Sequence, residues 1–286
     1  MKIKLKKFLI SLIKILAKLI KLITKKDFSQ ILNRILMEFS YEEKNILNKK
    51  IIFFVPNHFV KWRVKTFESK EPDTLNWING FNINEKSIFW DIGANIGLYS
   101  IYNALKNNNS KTIAFEPSTS NLRVLSRNIS INKLYEKIEI FPIPLSNIDN
   151  KFMLMREAQF IEGSGLNTYG SNFNFEGKEI KSSNDYKLIG TSINYLLTNK
   201  ILEVPDYIKI DVDGNEHLIL DGAKDFLKNE KIKSILIEVN EDFQEQYTSI
   251  VEILNKYNFV LSTKKRNSEI DNGLFENNFN YIFKRI

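Results

Sequence analysis

The sequence predicts an α/β fold, a Rossmann-like doubly wound sheet that is mostly parallel and preceded by N-terminal helices. Three observations carry this expectation. From residue 87 onward, short runs rich in Ile, Phe and Val alternate with helix-length amphipathic segments, the pattern of βα units. A glycine-containing turn, Asp91-Ile-Gly93-Ala-Asn95-Ile-Gly97, falls where the first run gives way to the first helix. Acidic residues close successive strands: Glu116, then Asp211 with Asp213, then Glu238. Ligands of such sheets collect outside the carboxyl ends of the strands.

The elements follow in order. Residues 1–26 hold nine lysines and no acid. Within them Lys7, Ser11, Lys14, Lys18, Lys21 and Lys25 form a polar stripe at helical spacing, opposite a broad Leu/Ile face. The longest uncharged run, 8–13, is far short of the roughly 20 residues of a spanning helix. The segment also lacks the unbroken core and cleavage site of a signal peptide. A helix lying in an anionic membrane interface fits it; docking on the body or on a second chain is the alternative. The expected location is cytoplasmic, peripheral on the inner face of the membrane.

Residues 27–86 are expected to form a mainly helical cap: a helix over 27–48, a strand over 51–55 ended by Pro56-Asn57, and a short helix over 73–78 begun by Pro72. The sheet domain, 87–286, is expected to have strands at 87–92, 112–115, 137–142, 207–212 and 234–239, with a final pair near 259–263 and 280–284. Helices are expected at 97–106, 120–132, 218–227 and 247–257. Residues 156–190, dense in Gly, Ser and Asn, break the alternation and are expected as a functional or disordered insertion.

Composition excludes several chemistries. Cysteine is absent and histidine occurs only at 58 and 217, so thiolate sites, disulfides and multi-histidine metal clusters are ruled out. The net charge is +7, and without the nine N-terminal lysines the remainder is −2. A nucleic-acid-binding body needs a basic face of its own, so no nucleic-acid partner is expected.

The turn at 91–97 carries the first chemical signal. Gly93 and Gly97 allow a tight turn and close approach to a ligand. Their spacing is G-x-x-x-G rather than the dinucleotide G-x-G-x-x-G, and Asp91 precedes them by two. An acid there repels a pyrophosphate and favours an ammonium, so the loop suits S-adenosylmethionine better than NAD. Glu116, at the end of the second strand, is placed to accept from both ribose hydroxyls. Ser146 falls after the third strand, where the crossover passes an adenine. The second cluster is Asp211-Val-Asp213-Gly-Asn-Glu216-His217. Transfer to a hydroxyl needs a base, and Asp211, Asp213, Glu216 and His217 are the candidates. No metal ligand set is assigned, although a divalent cation held by the acids is an alternative way to activate the hydroxyl.

Residues 66–262 resemble the FkbM family of S-adenosylmethionine-dependent methyltransferases. The likeness rests on Lys70-Glu71-Pro72, Phe89-Trp90-Asp91-Ile-Gly-Ala-Asn-Ile-Gly97, Phe115-Glu116-Pro117 with Asn121 and Asn128, Ile208-Lys-Ile-Asp211-Val-Asp-Gly214-Asn-Glu216, Gly222-Ala223 and Ile237-Glu238. It implies O-methylation of a saccharide or other small-molecule hydroxyl, often in polysaccharides. The cofactor set then comprises Glu71, Asp91, Gly93, Ala94, Asn95, Gly97, Glu116, Pro117, Ser146 and Asp211. Two departures stand out: Asp213 replaces a usual glutamate, and Asn194 replaces a usual aspartate that either touches the acceptor or caps a helix. Other classes are a non-catalytic adaptor that keeps the cofactor fold and an NAD-linked oxidoreductase. The intact acid set opposes the first and the glycine spacing the second.

Overall fold

A computed structural model describes residues 2–25, 28–82, 84–266 and 277–286. The chain divides into two units, 1–42 and 43–286. The first holds helices α1 (Lys2–Thr24) and α2 (Phe28–Glu38). The helix expected over 27–48 ends at Glu38. Beyond it, β1 (Tyr41–Ile46) and β2 (Lys49–Phe54) form a hairpin. Leu47 and Asn48 both take positive φ at its turn, the geometry that matches strand twist. Ile46, Ile51, Phe53 and Phe54 are buried, and this burial favours the hairpin over helix continuation.

Next come α3 (His58–Lys70) and α4 (Pro72–Asn79). The Pro56-Asn57 strand stop is also a helix start, since the Asn57 side chain accepts from the Val60 N–H. Val60, Val64 and Phe67 bury one face of α3, a helix not foreseen from the sequence.

The main sheet is built from β3 (Ser87–Ile92), β4 (Ser110–Phe115), β5 (Ile138–Phe141), β9 (Tyr207–Ile210), β10 (Ser234–Asn240), β11 (Phe259–Arg266) and β12 (Asn278–Arg285). Helices α5 (Leu98–Lys106), α6 (Thr119–Ile131), α7 (Ile193–Thr198), α8 (Glu216–Asp221), α9 (Lys224–Leu227) and α10 (Gln244–Lys256) link its strands. The order is β11-β12-β10-β9-β3-β4-β5, parallel from β10 to β5, with β12 antiparallel to both neighbours. Trp90, Ile92, Ile113, Phe115, Ile208, Ile210, Ile235 and Ile237 fill the core, as expected for strands covered on both faces. The chain runs outward from β3 through β5, then returns to β9 on the other side. The order therefore reverses between β3 and β9, the point at which a crevice opens.

The insertion at 156–190 is folded. It contains the end of β6 (Lys151–Glu157), then β7 (Asn167–Tyr169) and β8 (Asn184–Gly190), an antiparallel sheet with β6 in the middle. Its sequence reads as loop because the strands are short and half-exposed, and because Gly163 and Gly170 adopt positive φ.

Candidate active site

The ends of β3, β4 and β9 are joined by backbone. The N–H groups of Gly93 and Ala94 both donate to the Phe115 carbonyl, at 3.0 and 2.9 Å, and Asp211 N–H donates to Ile92. A Cβ on Gly93, at φ 84°, would lie 1.8 Å from the Asp211 carbonyl oxygen. A Cβ on Gly97, at φ 86°, would lie 2.5 Å from Leu125 of α6. Both glycines are therefore required by the chain's own packing, and Gly93 also lines the cleft.

Asn95 sits in the left-handed region and donates its N–H to Glu116 Oε2 at 2.7 Å. Glu116 Oε1 accepts from Ser118 N–H at 2.8 Å. The carboxyl is buried, and burial pushes its pKa up to about 8 against those donors. Around it lies a cleft of about 590 Å³ counting its open mouth, a size usual for small-molecule sites. Phe115, Pro117, Ile143, Leu145 and Met155 supply apolar walls. Ser146 lies beside this wall without lining it: its N–H donates to Thr191, and its carbonyl packs where a Gly222 Cβ would be.

A second lobe of about 450 Å³ shares Gly93, Asn95 and Asp211 with the first and adds Arg63, Lys70, Glu71, Ala94, Tyr99 and Lys209. Lys209 breaks the apolar run Tyr-Ile-Lys-Ile, and neither the glycine turn nor the strand-end acids point to its role. It is fully buried on β9, in register with Asp91 of β3, and its Nζ lies 2.7 Å from Asp211 Oδ2 and 5.0 Å from the Tyr99 ring. Burial alone would lower its pKa; Asp211, Asp91 and Glu71 raise it instead. Glu71 is opposed by burial but held down at about 2 by Lys70 and Lys209, and it accepts from Lys70 at 2.8 Å and Tyr99 at 2.7 Å. Asp91 is wholly buried. Its Oδ2 accepts from Ser100 at 2.6 Å, while Oδ1 has no partner. Burial raises its pKa, with Lys209 opposing. A buried acceptor without a donor is unusual enough to need a reason.

Asp211, Asp213 and Glu238 each bring a carboxylate oxygen within 4.8 Å of the others. Burial and Asp211 push Asp213 up to about 6, and burial with both aspartates raises Glu238 well above its ordinary range. The other two base candidates do not line the cleft. Glu216 is turned inward, accepting from Val212 and Gly214 N–H and from Gln246, so it holds the 212–216 turn. His217 packs against Phe243 with the two rings near perpendicular, and burial lowers its pKa. Asn194 neither faces the cleft nor caps its helix. Ser192 is the cap, and Asn194 Oδ1 accepts from Asp225 N–H at the start of α9.

A strap, residues 162–166, crosses beside the glycine turn. Arg63 donates to the Gly163 carbonyl, and Asn121 both accepts from Gly163 N–H at 2.8 Å and donates to the Ser164 carbonyl at 3.1 Å. Asn95 also donates to Ser164, and Leu166 N–H donates to Asp213 Oδ2 at 2.7 Å. Glu162 accepts from Asn57 and pairs with Arg123. Asp213 is thus a latch for the strap as well as a member of the acid group.

Residues 91–261 match the sequence family described as the methyltransferase FkbM domain, and the chain belongs to that family. A curated relative, methyltransferase sdnD of Sordaria araneosa, is 27% identical over 182 residues, 56% of this chain and 69% of its own. Among solved structures, a methyltransferase FkbM from Methylobacillus flagellatus is 14% identical, covering 69% of this chain with a TM-score of 0.46. The match spans only 43% of that protein's length. A fibrillarin pre-rRNA processing protein from Methanococcus jannaschii is also 14% identical, covering 86% of this chain and 83% of its own with a TM-score of 0.46.

Proposed function

We propose that the protein transfers a methyl group from S-adenosylmethionine to a hydroxyl oxygen of a saccharide or other small-molecule acceptor. The observation that carries this reading is the two-lobed cleft at the sheet's switch point, with Glu116 in one lobe and Glu71 and Asp211 in the other. Its donor set fits the cofactor. Glu116 is a bidentate acceptor for ribose hydroxyls, and the apolar wall of Phe115, Ile143 and Leu145 suits an adenine. Arg63 and Lys70 suit a carboxylate, while Glu71 and Asp211 suit an ammonium. The same carboxylates repel a pyrophosphate, which disfavours NAD.

When bound, S-adenosylmethionine supplies an electrophilic methyl group beside a sulfonium. The chain's part is to hold the acceptor and take its proton. Asp211, Asp213 and Glu238 crowd negative charge, so one of them retains a proton more tightly than an isolated carboxylate. A base tuned upward in this way accepts a hydroxyl proton near neutral pH, worth about 10²–10⁴ in rate. Lys209 fixes Asp211 in place, its Nζ donating to Oδ2 at 2.7 Å.

The test is incubation of the full chain with labelled S-adenosylmethionine and a panel of saccharides and small alcohols. Label in an acid-stable ether is expected. Label on nitrogen or carbon acceptors alone would overturn the hydroxyl assignment.

A further inference from the structure

The first unit is a candidate interaction surface that the methyl-transfer reading does not use. Helix α1 runs unbroken from Lys2 to Thr24, about 35 Å at 1.5 Å per residue. At about 100° per residue, Lys7, Ser11, Lys14, Lys18 and Lys21 fall within an arc of roughly 80°. Leu5, Leu9, Leu12, Ile13, Leu16 and Ile23 lie on the opposite side, and all are exposed. The Ser11 hydroxyl donates to the Lys7 carbonyl, so the stripe's one neutral polar group is satisfied inside the helix. Helix α2 and the residue after it continue the exposure through Ile35, Leu36, Met37 and Phe39.

Among the described residues, 15 of the 27 large exposed apolar side chains lie in 5–39. Such a concentration marks an interaction surface rather than ordinary scatter. Three properties select the partner. The apolar face is wide and rimmed by ammonium groups on stems long enough to snorkel. Residues 1–26 contain no acid that would repel anionic headgroups. No described helix is long and apolar enough to cross a membrane, so a bilayer can hold α1 only in its interface.

We propose that α1 and α2 form an interfacial anchor for an anionic lipid bilayer, with the Leu/Ile face in the acyl boundary and the lysine stripe at the headgroups. Charge complementarity favours this occupant over a second copy: residues 1–26 carry nine lysines and no acid, so two such segments side by side repel, whereas an anionic surface attracts them. The proposal does not depend on the reaction, and its test reads binding alone.

Full-length protein is sedimented with vesicles of phosphatidylcholine, with or without phosphatidylglycerol, at low and high salt. Pelleting with the anionic vesicles is expected, reduced but not abolished by salt. Lys14→Gln with Lys18→Gln should weaken partitioning by about fivefold per lysine, roughly twenty-five-fold for the pair. Ile13→Asp with Leu16→Asp should abolish it. Unchanged cofactor binding by both variants establishes that the sheet unit remains folded. Wild-type protein that stays in the supernatant at low salt overturns the proposal. So does an oligomer, detected by light scattering, that Ile13→Asp with Leu16→Asp dissolves while no vesicles are bound. Equal pelleting with neutral and anionic vesicles overturns the role given to the lysines.

Discussion

Glu116 gives the sharpest pH prediction. Burial holds its carboxyl at about 8, so at pH 7 it is mostly protonated in the free protein. Two ribose hydroxyls donate best to a carboxylate, so binding should expel that proton. At one pH unit below the pKa only about one molecule in eleven carries the carboxylate, a penalty of about 1.4 kcal/mol. Affinity should therefore rise about tenfold between pH 7 and pH 9. The ligand for this test is 5′-methylthioadenosine, because it lacks the amino group whose own titration would overlap. Calorimetry in buffers of different ionisation enthalpy should register nearly one proton released at pH 7. Glu116→Gln should bind more weakly and without pH dependence. The stability linkage has the matching sign. A carboxyl whose pKa is raised on folding binds its proton more tightly in the native state, so its stabilisation is lost as pH climbs from about 4.5 to about 8. Wild-type affinity that is flat or falls between pH 7 and 9 would refute the role given to Glu116.

Four further outcomes are expected. Glu238→Gln should lower turnover about 10²–10⁴-fold with little change in cofactor affinity, whereas Asp211→Asn should lower turnover and weaken cofactor binding as well. EDTA should leave turnover intact, whereas a loss restored by Mg²⁺ would transfer the activating role to a cation bound by the acids. Lys209→Met should destabilise the fold by about 3–5 kcal/mol, because Asp211, Asp91 and Glu71 lose their buried countercharge; denaturant unfolding reads this. Asp213→Ala should speed amide exchange across 162–166, while Asp213→Asn, which keeps an acceptor for Leu166 N–H, should not.

What the sequence made legible was local. The 91–97 turn, Glu116 and the 207–211 run announce themselves by glycines, strand-length apolar runs and acids at strand ends, and the structure brings them to one crevice. What it hid was pairing across distance. Asn128 is one of the residues on which the family likeness rests, yet its role needs β2 and the glycine turn together: it accepts from Phe54 N–H at 2.8 Å and donates to the Ile96 carbonyl at 2.9 Å. Arg63 gave no signal at all, because its function is to hold a strap 100 residues away. Glu216 and His217 were attractive as bases by residue type. Only the fold turns one toward backbone donors and sets the other against Phe243. Lys209 is readable from the sequence: a charge inside an apolar strand must find partners, and the nearest acid, Asp211, stands two residues on.

Whether this cleft takes S-adenosylmethionine is read most directly by titration calorimetry of the full chain. One S-adenosylmethionine site per chain is expected, weakened by Glu116→Ala and by Glu71→Ala, with no heat from NAD. Saturable NAD binding with no S-adenosylmethionine binding would contradict this expectation.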